Sequence, residues 1–169
     1  MQEIKSDYPE NKKEMYALLK MQLEALTEGE SHIMANLSNA SALLNGALQS
    51  INWAGFYLMH EGSLLLGPFQ GKTACIRIPV GKGVCGTAVA ENRTRLVPDV
   101  HQFPGHIACD SASNSEIVVP IRINGRVIGV LDIDSPLLNR FDEQDKAGLE
   151  ELVEILEKNC DWQNTGLRF

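Results

Sequence analysis

Apolar residues recur every three or four positions near both ends of the chain, which is the period of a helix with one buried face. This spacing predicts a first helix from about residue 10 to 26, a second from about 31 to 48, and a closing helix from 141 to 158. Asp142 followed by Asp145 matches a capping-box variant, so the closing helix is expected to begin there.

The middle of the chain carries the alternation and the turn residues of β-strands. The hairpin signal is strongest at Asn124-Gly125. Strands are predicted at 51–59, 64–66, 75–79, 96–97, 117–123 and 127–133, with a short helix entered at 81–86. Helices, then strands, then a helix predict an α+β fold, with an antiparallel sheet and the N- and C-terminal helices packed on one side.

Length and composition suit one folded unit. The chain has 169 residues, of which 44% are hydrophobic and 22% charged, so a globular fold is expected rather than disorder. We expect a single domain over 1–169, with the N-terminal helices in 1–50, the sheet and active-site loops in 51–135, and the closing helix in 139–160.

Charge and cysteine usage narrow the partners and the compartment. A net charge of −7 argues against nucleic-acid or anionic-membrane binding. No apolar run approaches the ~18 residues of a membrane span, and no secretory signal is visible, so a cytoplasmic protein is expected. The four cysteines form no C-x-x-C pair, which favours thiols over a zinc ribbon or permanent disulfides.

One short segment concentrates reactive groups. Cys109 lies in a loop of small polar residues, Glu116 heads an apolar strand, and Asp132 and Asp134 end the next strand on one face. Crowded carboxylates cannot all ionise cheaply, so a proton should be retained among them near neutral pH. From spacing alone, solvated acids and a buried structural cysteine remain open alternatives.

The register of the hairpin tests whether the three acids meet. A two-residue turn at Asn124-Gly125, continued regularly, would set Glu116 opposite Ile133 and on the face away from the aspartates. If the acids share a site, the sequence therefore predicts one of three departures. The turn has three residues, a bulge lies near Pro120, or Glu116 precedes the strand.

Several motifs together resemble a known family. The pattern G-x-G-x-x-G at 81–86, followed by VPIRINGRVIGVLDIDS and F-D-E-Q-D, resembles a GAF domain. Cys75, Cys85 and Cys109 are spaced ten and then twenty-four positions apart, and N-W-x-G-F-Y stands at 52–57. This combination resembles the free methionine-(R)-sulfoxide reductases, which are GAF-domain enzymes, over nearly the whole chain.

The resemblance implies a reaction. The R-sulfoxide of free methionine would be reduced when the Cys109 thiolate attacks its sulfur and becomes a sulfenic acid. A second thiol, Cys85 or Cys75, would then form a disulfide that an external thioredoxin-like dithiol reduces. The order of the two resolving candidates stays open. No cofactor or metal is implied, and the four histidines show no ligand spacing.

The resemblance also implies roles for the other site residues. Glu116 and Asp134 would protonate the sulfoxide oxygen, and Asp132 would position the substrate or hold its ammonium group. Trp53 and Tyr57 would form a wall for the S-methyl group, although core aromatics are the alternative reading. Backbone N–H groups between 111 and 115 are expected to hold the substrate carboxylate as a small nest.

Two rival functions involve binding without turnover. The chain could be a stand-alone GAF sensor of a small ligand, or a redox sensor whose disulfide alters a partner interface. An acid-rich pocket disfavours a phosphate-bearing ligand. The amphipathic N-terminal helices leave a homodimer open. Catalytic release of methionine separates the enzyme from both sensors.

Overall fold

The computed structural model describes residues 7–105 and 110–163, which form a six-stranded sheet with helices on both faces. In chain order the elements are α1 (Lys12–Thr27), α2 (Ile33–Ala47), β1 (Trp53–His60), β2 (Ser63–Gly71), β3 (Arg77–Pro79), α3 (Gly83–Glu91), β4 (Arg95–Val97), a 3₁₀ turn (Val100–Gln102), β5 (Ser115–Ile123), β6 (Arg126–Ser135) and α4 (Glu143–Asn159). The strand order is β3-β2-β1-β6-β5-β4, and each neighbouring pair is antiparallel. The α+β prediction is confirmed.

The alternation of side chains along the strands builds two separate cores. Phe56, Ile117 and Ile133 point to one face and pack with α1, α2 and α4. Tyr57 and Val118 point to the other face and pack with α3. The terminal helices therefore share one side of the sheet, as predicted, and leave the opposite face for α3 and its loops.

A buried carboxylate joins the first helix to the last. Asp145 is fully buried and accepts hydrogen bonds from the Tyr16 hydroxyl at 2.9 Å and the Lys12 ammonium at 2.5 Å. Its side chain also accepts from the backbone N–H of Asp142 in the predicted capping box. Because a buried charge is tolerated only when it is paired, this contact locks α1 against α4.

Strand β2 is longer than predicted. The sequence indicated a strand at 64–66 that stops before Gly67-Pro68, but the strand continues through them to Gly71. The β1–β2 register shifts between Gly55 and Tyr57, where Gly67 and Pro68 together oppose Phe56, so the bulge lies on β2 at this pair. Proline is tolerated inside a sheet at such an irregularity.

The hairpin of β5 and β6 keeps the two-residue turn and adds a bulge. Asn124 and Gly125 have φ values of 52° and 79°, which a two-residue turn of this hand requires. The register then shifts opposite Ile121 and Arg122, where β6 carries one additional residue, Ile128. Of the three predicted departures, the bulge near Pro120 is the one that occurs.

The bulge decides which face the acids share. Beyond it, Glu116 pairs with Asp134 and Val118 pairs with Asp132. Directly opposed residues on antiparallel strands point to the same side, so all three carboxylates face α3. Among the described residues, no helix has the length and apolar character that crossing a membrane requires.

Candidate active site

A small, partly open pocket lies on the α3 face of the sheet. Its walls come from β1, β5 and β6, from the start of α3, and from the loops before β3 and β5. The lining residues are Trp53, Tyr57, Thr73, Ala74, Ile78, Gly83, Val84, Cys85, Asp110, Ser113, Glu116, Asp132 and Asp134.

The three predicted acids meet in this pocket. Glu116 and Asp132 are each only 6% exposed, and Asp134 lies beside Glu116 across the ladder. The alternative of ordinary solvated acids is therefore wrong. One oxygen of Asp132, Oδ1, is buried without a hydrogen-bond partner among the described residues. A buried unpaired oxygen is costly, so the site is arranged to receive a donor.

Burial sets the proton distribution of the trio. Burial raises the pKa of Asp132 to about 6. Burial also raises the pKa of Glu116 and of Asp134 well above the ordinary values, and the negative charge of Asp132 adds to the effect at both. The trio therefore retains protons to a higher pH than exposed carboxylates would.

Cys85 places a thiol against the acids. It is a free, buried cysteine whose Sγ lies 3.9 Å from Oε1 of Glu116. Burial raises its pKa well above the usual value, and the charges of Asp132 and Glu116 raise it further. Although Cys85 stands in the first turn of α3, where a thiolate is normally favoured, the acids and burial dominate.

Cys75 and Cys160 lie on opposite faces of the sheet. Cys75 takes part in a disulfide and is half-buried between β2 and β3. Cys109, the predicted nucleophile, lies outside the described residues, but the next residue, Asp110, lines the pocket. Cys160 is a free thiol in the core on the opposite face, where it has a structural role.

The two predicted wall aromatics form one side of the pocket. Trp53 and Tyr57 are buried and stack with ring centroids 5.8 Å apart. The Tyr57 hydroxyl donates to the backbone carbonyl of Cys75 at 3.0 Å, and the Trp53 indole donates to that of Lys72 at 3.1 Å. The aromatics therefore also hold the segment that carries Cys75.

The loop before β5 contains residues that sequence reasoning missed. The Asn52 amide donates to Asp110 Oδ2 at 3.2 Å and to Ser113 Oγ at 3.0 Å, which ties this loop to the start of β1. Asn52 stands in the N-W-x-G-F-Y motif, and Asp110 follows the predicted nucleophile. Adjacency to those motifs was the only available signal, because an irregular loop has no periodicity.

The predicted backbone nest at 111–115 is wrong in part, because its donors are already used. The N–H of Ala112 donates to Asp110 Oδ1, that of Ser113 to the Asp110 carbonyl, and that of Asn114 to the Ser135 carbonyl. By contrast, Gly83, Val84 and Cys85 at the start of α3 line the pocket. The first N–H groups of a helix have no acceptor within it.

A divalent cation could also be held here. Cys85, Glu116 and Asp132 each offer one ligand atom, and these atoms lie within 4.8 Å of one another. A thiolate with two carboxylates is a donor set that zinc accepts. The expectation of a metal-free site stays a prediction.

Comparisons with known proteins match this architecture. Residues 38–157 match the GAF domain family. The chain is 58% identical over 148 residues to the free methionine-R-sulfoxide reductase of Escherichia coli, covering 88% of this chain and 90% of that protein. It is 49% identical over 158 residues to the Saccharomyces cerevisiae protein of that name, covering 89% and 88%. The Neisseria meningitidis free methionine-R-sulfoxide reductase, solved with its substrate, superposes with a TM-score of 0.90 at 45% identity, covering 94% of this chain and 95% of that one.

Proposed function

Because the chain belongs to the GAF-domain family of free methionine-(R)-sulfoxide reductases, which are oxidoreductases, we propose that it reduces free methionine R-sulfoxide by thiol chemistry in this pocket. The observation that carries the proposal is the buried trio of Glu116, Asp132 and Asp134 beside the loop of Cys109. Burial raises the pKa of all three carboxyl groups, so the trio combines retained protons with negative charge. The sulfoxide oxygen needs a proton donor, and the ammonium group of an amino acid needs a negative charge.

The pocket offers a place for each substrate group. The stacked rings of Trp53 and Tyr57 provide an apolar surface for the S-methyl group. The unpartnered Oδ1 of Asp132 accepts from the ammonium group. The substrate carboxylate lies at the first N–H groups of α3, at 83–85, where the helix dipole favours an anion.

The reaction then proceeds in three steps. The Cys109 thiolate attacks the sulfoxide sulfur and forms an S–S bond, while Glu116 and Asp134 together deliver one proton to the oxygen. The hydroxyl group then transfers from the methionine sulfur to the Cys109 sulfur as the S–S bond breaks, which releases methionine and leaves Cys109 as a sulfenic acid. A second thiol attacks the Cys109 sulfur, water departs, and a disulfide forms. An external dithiol returns both cysteines to thiols, and no cofactor is needed.

Cys75 is the resolving cysteine that the structure favours. It is in a disulfide, whereas Cys85 and Cys160 are free. We propose that Cys109 is the cysteine with which Cys75 pairs after turnover. Cys85 is a free thiol next to Glu116 and stays the alternative resolving cysteine. We place the cycle in the cytoplasm, with a thioredoxin-like protein as the reductant.

Steady-state assays test the proposal. The protein should release methionine from free methionine R-sulfoxide with dithiothreitol as reductant, and much less from the S epimer. Cys109→Ser should remove the activity, while Cys160→Ser, on the other face of the sheet, should retain it. Binding of the sulfoxide without any release of methionine would overturn the proposal and favour the sensor alternative.

A further inference from the structure

The disulfide at Cys75 must receive two electrons from outside the protein. Cys75 is half-buried in the connection that leads from β2 to β3. Thiol–disulfide exchange requires an attacking thiolate in line with a reachable sulfur. A protein reductant must therefore rest on the residues that surround Cys75.

Those residues expose apolar side chains. Ile76 is 70% exposed and Val80 is 40% exposed, and both lie within five residues of Cys75. Single exposed hydrophobic residues are common and need no explanation alone. Ile76 and Val80 differ from such residues because they lie beside Cys75, whose disulfide has to be reduced.

The same segment is positively charged in an acidic protein. Residues 72–82 include Lys72, Arg77 and Lys82 and no acid, whereas the whole chain has a net charge of −7. All three cations are exposed. Lys72 lies 3.5 Å from Asp110, but its side chain is 73% exposed. Within the part of the chain that the structure describes, the Arg77 guanidinium donates to the Ser63 hydroxyl and forms no ion pair. The local charge suits an acidic partner.

The segment also lies at the edge of the sheet. Strand β3 is the last strand in the order, with β2 as its neighbour. An edge strand leaves backbone groups that can pair with an extended segment of another chain. Apolar contact, cationic charge and an edge strand thus coincide around one disulfide.

We propose that Lys72, Ile76, Arg77, Val80 and Lys82, here called the Cys75 rim, form the docking surface for an acidic, thioredoxin-like dithiol protein. Ile76 is the apolar anchor, and the cations orient the partner. The inference deepens the proposed function and rests on it. A thiolate of the partner attacks the Cys75 sulfur, a mixed disulfide forms, and the other cysteine of the pair leaves as a thiolate. The second thiol of the partner then attacks the sulfur of the partner's first cysteine in the mixed disulfide. Cys75 is released as a thiolate, and the partner is left with a disulfide.

Two reductants separate docking from chemistry. In Ile76→Glu, the rate constant for reduction of the protein disulfide by thioredoxin should fall by about tenfold, which corresponds to ~1.4 kcal/mol. Reduction by dithiothreitol should change less than about twofold, because a small dithiol needs no surface. The matched control is Met21→Glu, which alters a 67% exposed residue on α1 and should change neither rate.

Charge provides the second arm of the test. Added salt should slow reduction by thioredoxin in the unaltered protein and leave reduction by dithiothreitol unchanged. Arg77→Glu should slow the thioredoxin reaction and weaken its salt dependence. Ile76→Ser serves as the milder variant if Ile76→Glu does not fold.

The proposal is overturned if the Ile76 variant is reduced by thioredoxin at the normal rate, or if both reductants slow equally. It is also overturned if the variant instead loses a dimer on size-exclusion chromatography, since the rim would then contact a second copy of the chain. Disulfide reduction is measured without methionine sulfoxide. A failure of docking is therefore distinct from a failure of the proposed function, which appears as absent methionine release with dithiothreitol.

Discussion

At the scale of single residues, Asp132 shows a conflict between stability and chemistry. Its carboxylate is buried, one oxygen lacks a partner, and burial raises its pKa to about 6. A raised folded-state pKa means that the folded protein holds this proton more tightly than the unfolded chain does. Stability is therefore lost as the pH rises from the usual aspartate value of 3.8 through about 6, and the loss persists above that range.

Replacing Asp132 should stabilise the protein while impairing turnover. Asp132→Asn cannot ionise, so its free energy of unfolding should exceed that of the unaltered protein at about pH 8 by on the order of 2 kcal/mol, with little difference at about pH 4. Methionine release should fall because the ammonium group loses its counter-charge. Urea unfolding at the two pH values measures the first effect. Glu10→Gln, which alters an exposed residue, should change neither the stability nor the release of methionine. An equal change in the stability of Asp132→Asn at both pH values would contradict the prediction.

Tyr57 has a separable role in holding Cys75. Tyr57→Phe retains the ring that lines the pocket but loses the hydroxyl that donates to the Cys75 carbonyl. The KM for the sulfoxide should stay nearly constant, while conversion of the sulfenic acid to the disulfide should slow several-fold, for a loss of ~1 kcal/mol. Rapid quenching with a sulfenic acid trap measures the intermediate.

Tyr16→Phe is the matched control, because it removes a buried hydroxyl that bonds Asp145 on the other side of the sheet. It should lower stability without accumulating sulfenic acid. If both variants accumulate the intermediate equally, the effect of Tyr57 is general loosening rather than positioning of Cys75.

At the scale of elements, the hairpin shows what sequence can and cannot determine. The Asn124-Gly125 turn was predictable because a two-residue turn with two positive φ values needs those residue types. The position of the bulge at Ile128 was not encoded by any local residue type. Only the requirement that Glu116 share a face with Asp134 indicated that an irregularity exists, and its location had three solutions. The extension of β2 through Pro68 was missed because Gly67-Pro68 was interpreted as the end of the strand, whereas β2 bulges there and continues.

Strand β1 depends on a glycine for close approach to β2. A Cβ on Gly55 would lie 2.3 Å from the Phe69 Cβ and 2.8 Å from the Trp53 ring. Gly55→Ala should therefore lower the free energy of unfolding by ~1–3 kcal/mol and displace the aromatic wall. In contrast, nothing lies within 4 Å of a Cβ on Gly46 in α2. Because alanine favours a helix more than glycine does, Gly46→Ala should raise the free energy of unfolding by ~0.5–1 kcal/mol. Urea unfolding of the pair checks both signs, and a destabilised Gly46→Ala would refute the packing account.

At the scale of the whole molecule, the layout of the fold was predictable because the helix and strand periodicities each extend over whole segments of the chain. The sequence also predicted that Glu116, Asp132 and Asp134 belong to one site, and the sheet brings them together. It could not rank Cys75 against Cys85, because their distances to a third cysteine depend on how two loops fold over the sheet. The contacts of Asn52 with Asp110 and Ser113 were hidden for the same reason.

The most direct test of the account is a single turnover without reductant. Fully reduced protein mixed with excess free methionine R-sulfoxide should release about one methionine per chain and stop. Alkylation and peptide mapping should then find Cys75 and Cys109 joined, with Cys85 and Cys160 labelled as thiols. The burst should be absent in Cys109→Ser and slowed in Glu116→Gln. A full burst of methionine from Cys109→Ser would contradict the central claim that this thiol and the buried acids act on one substrate.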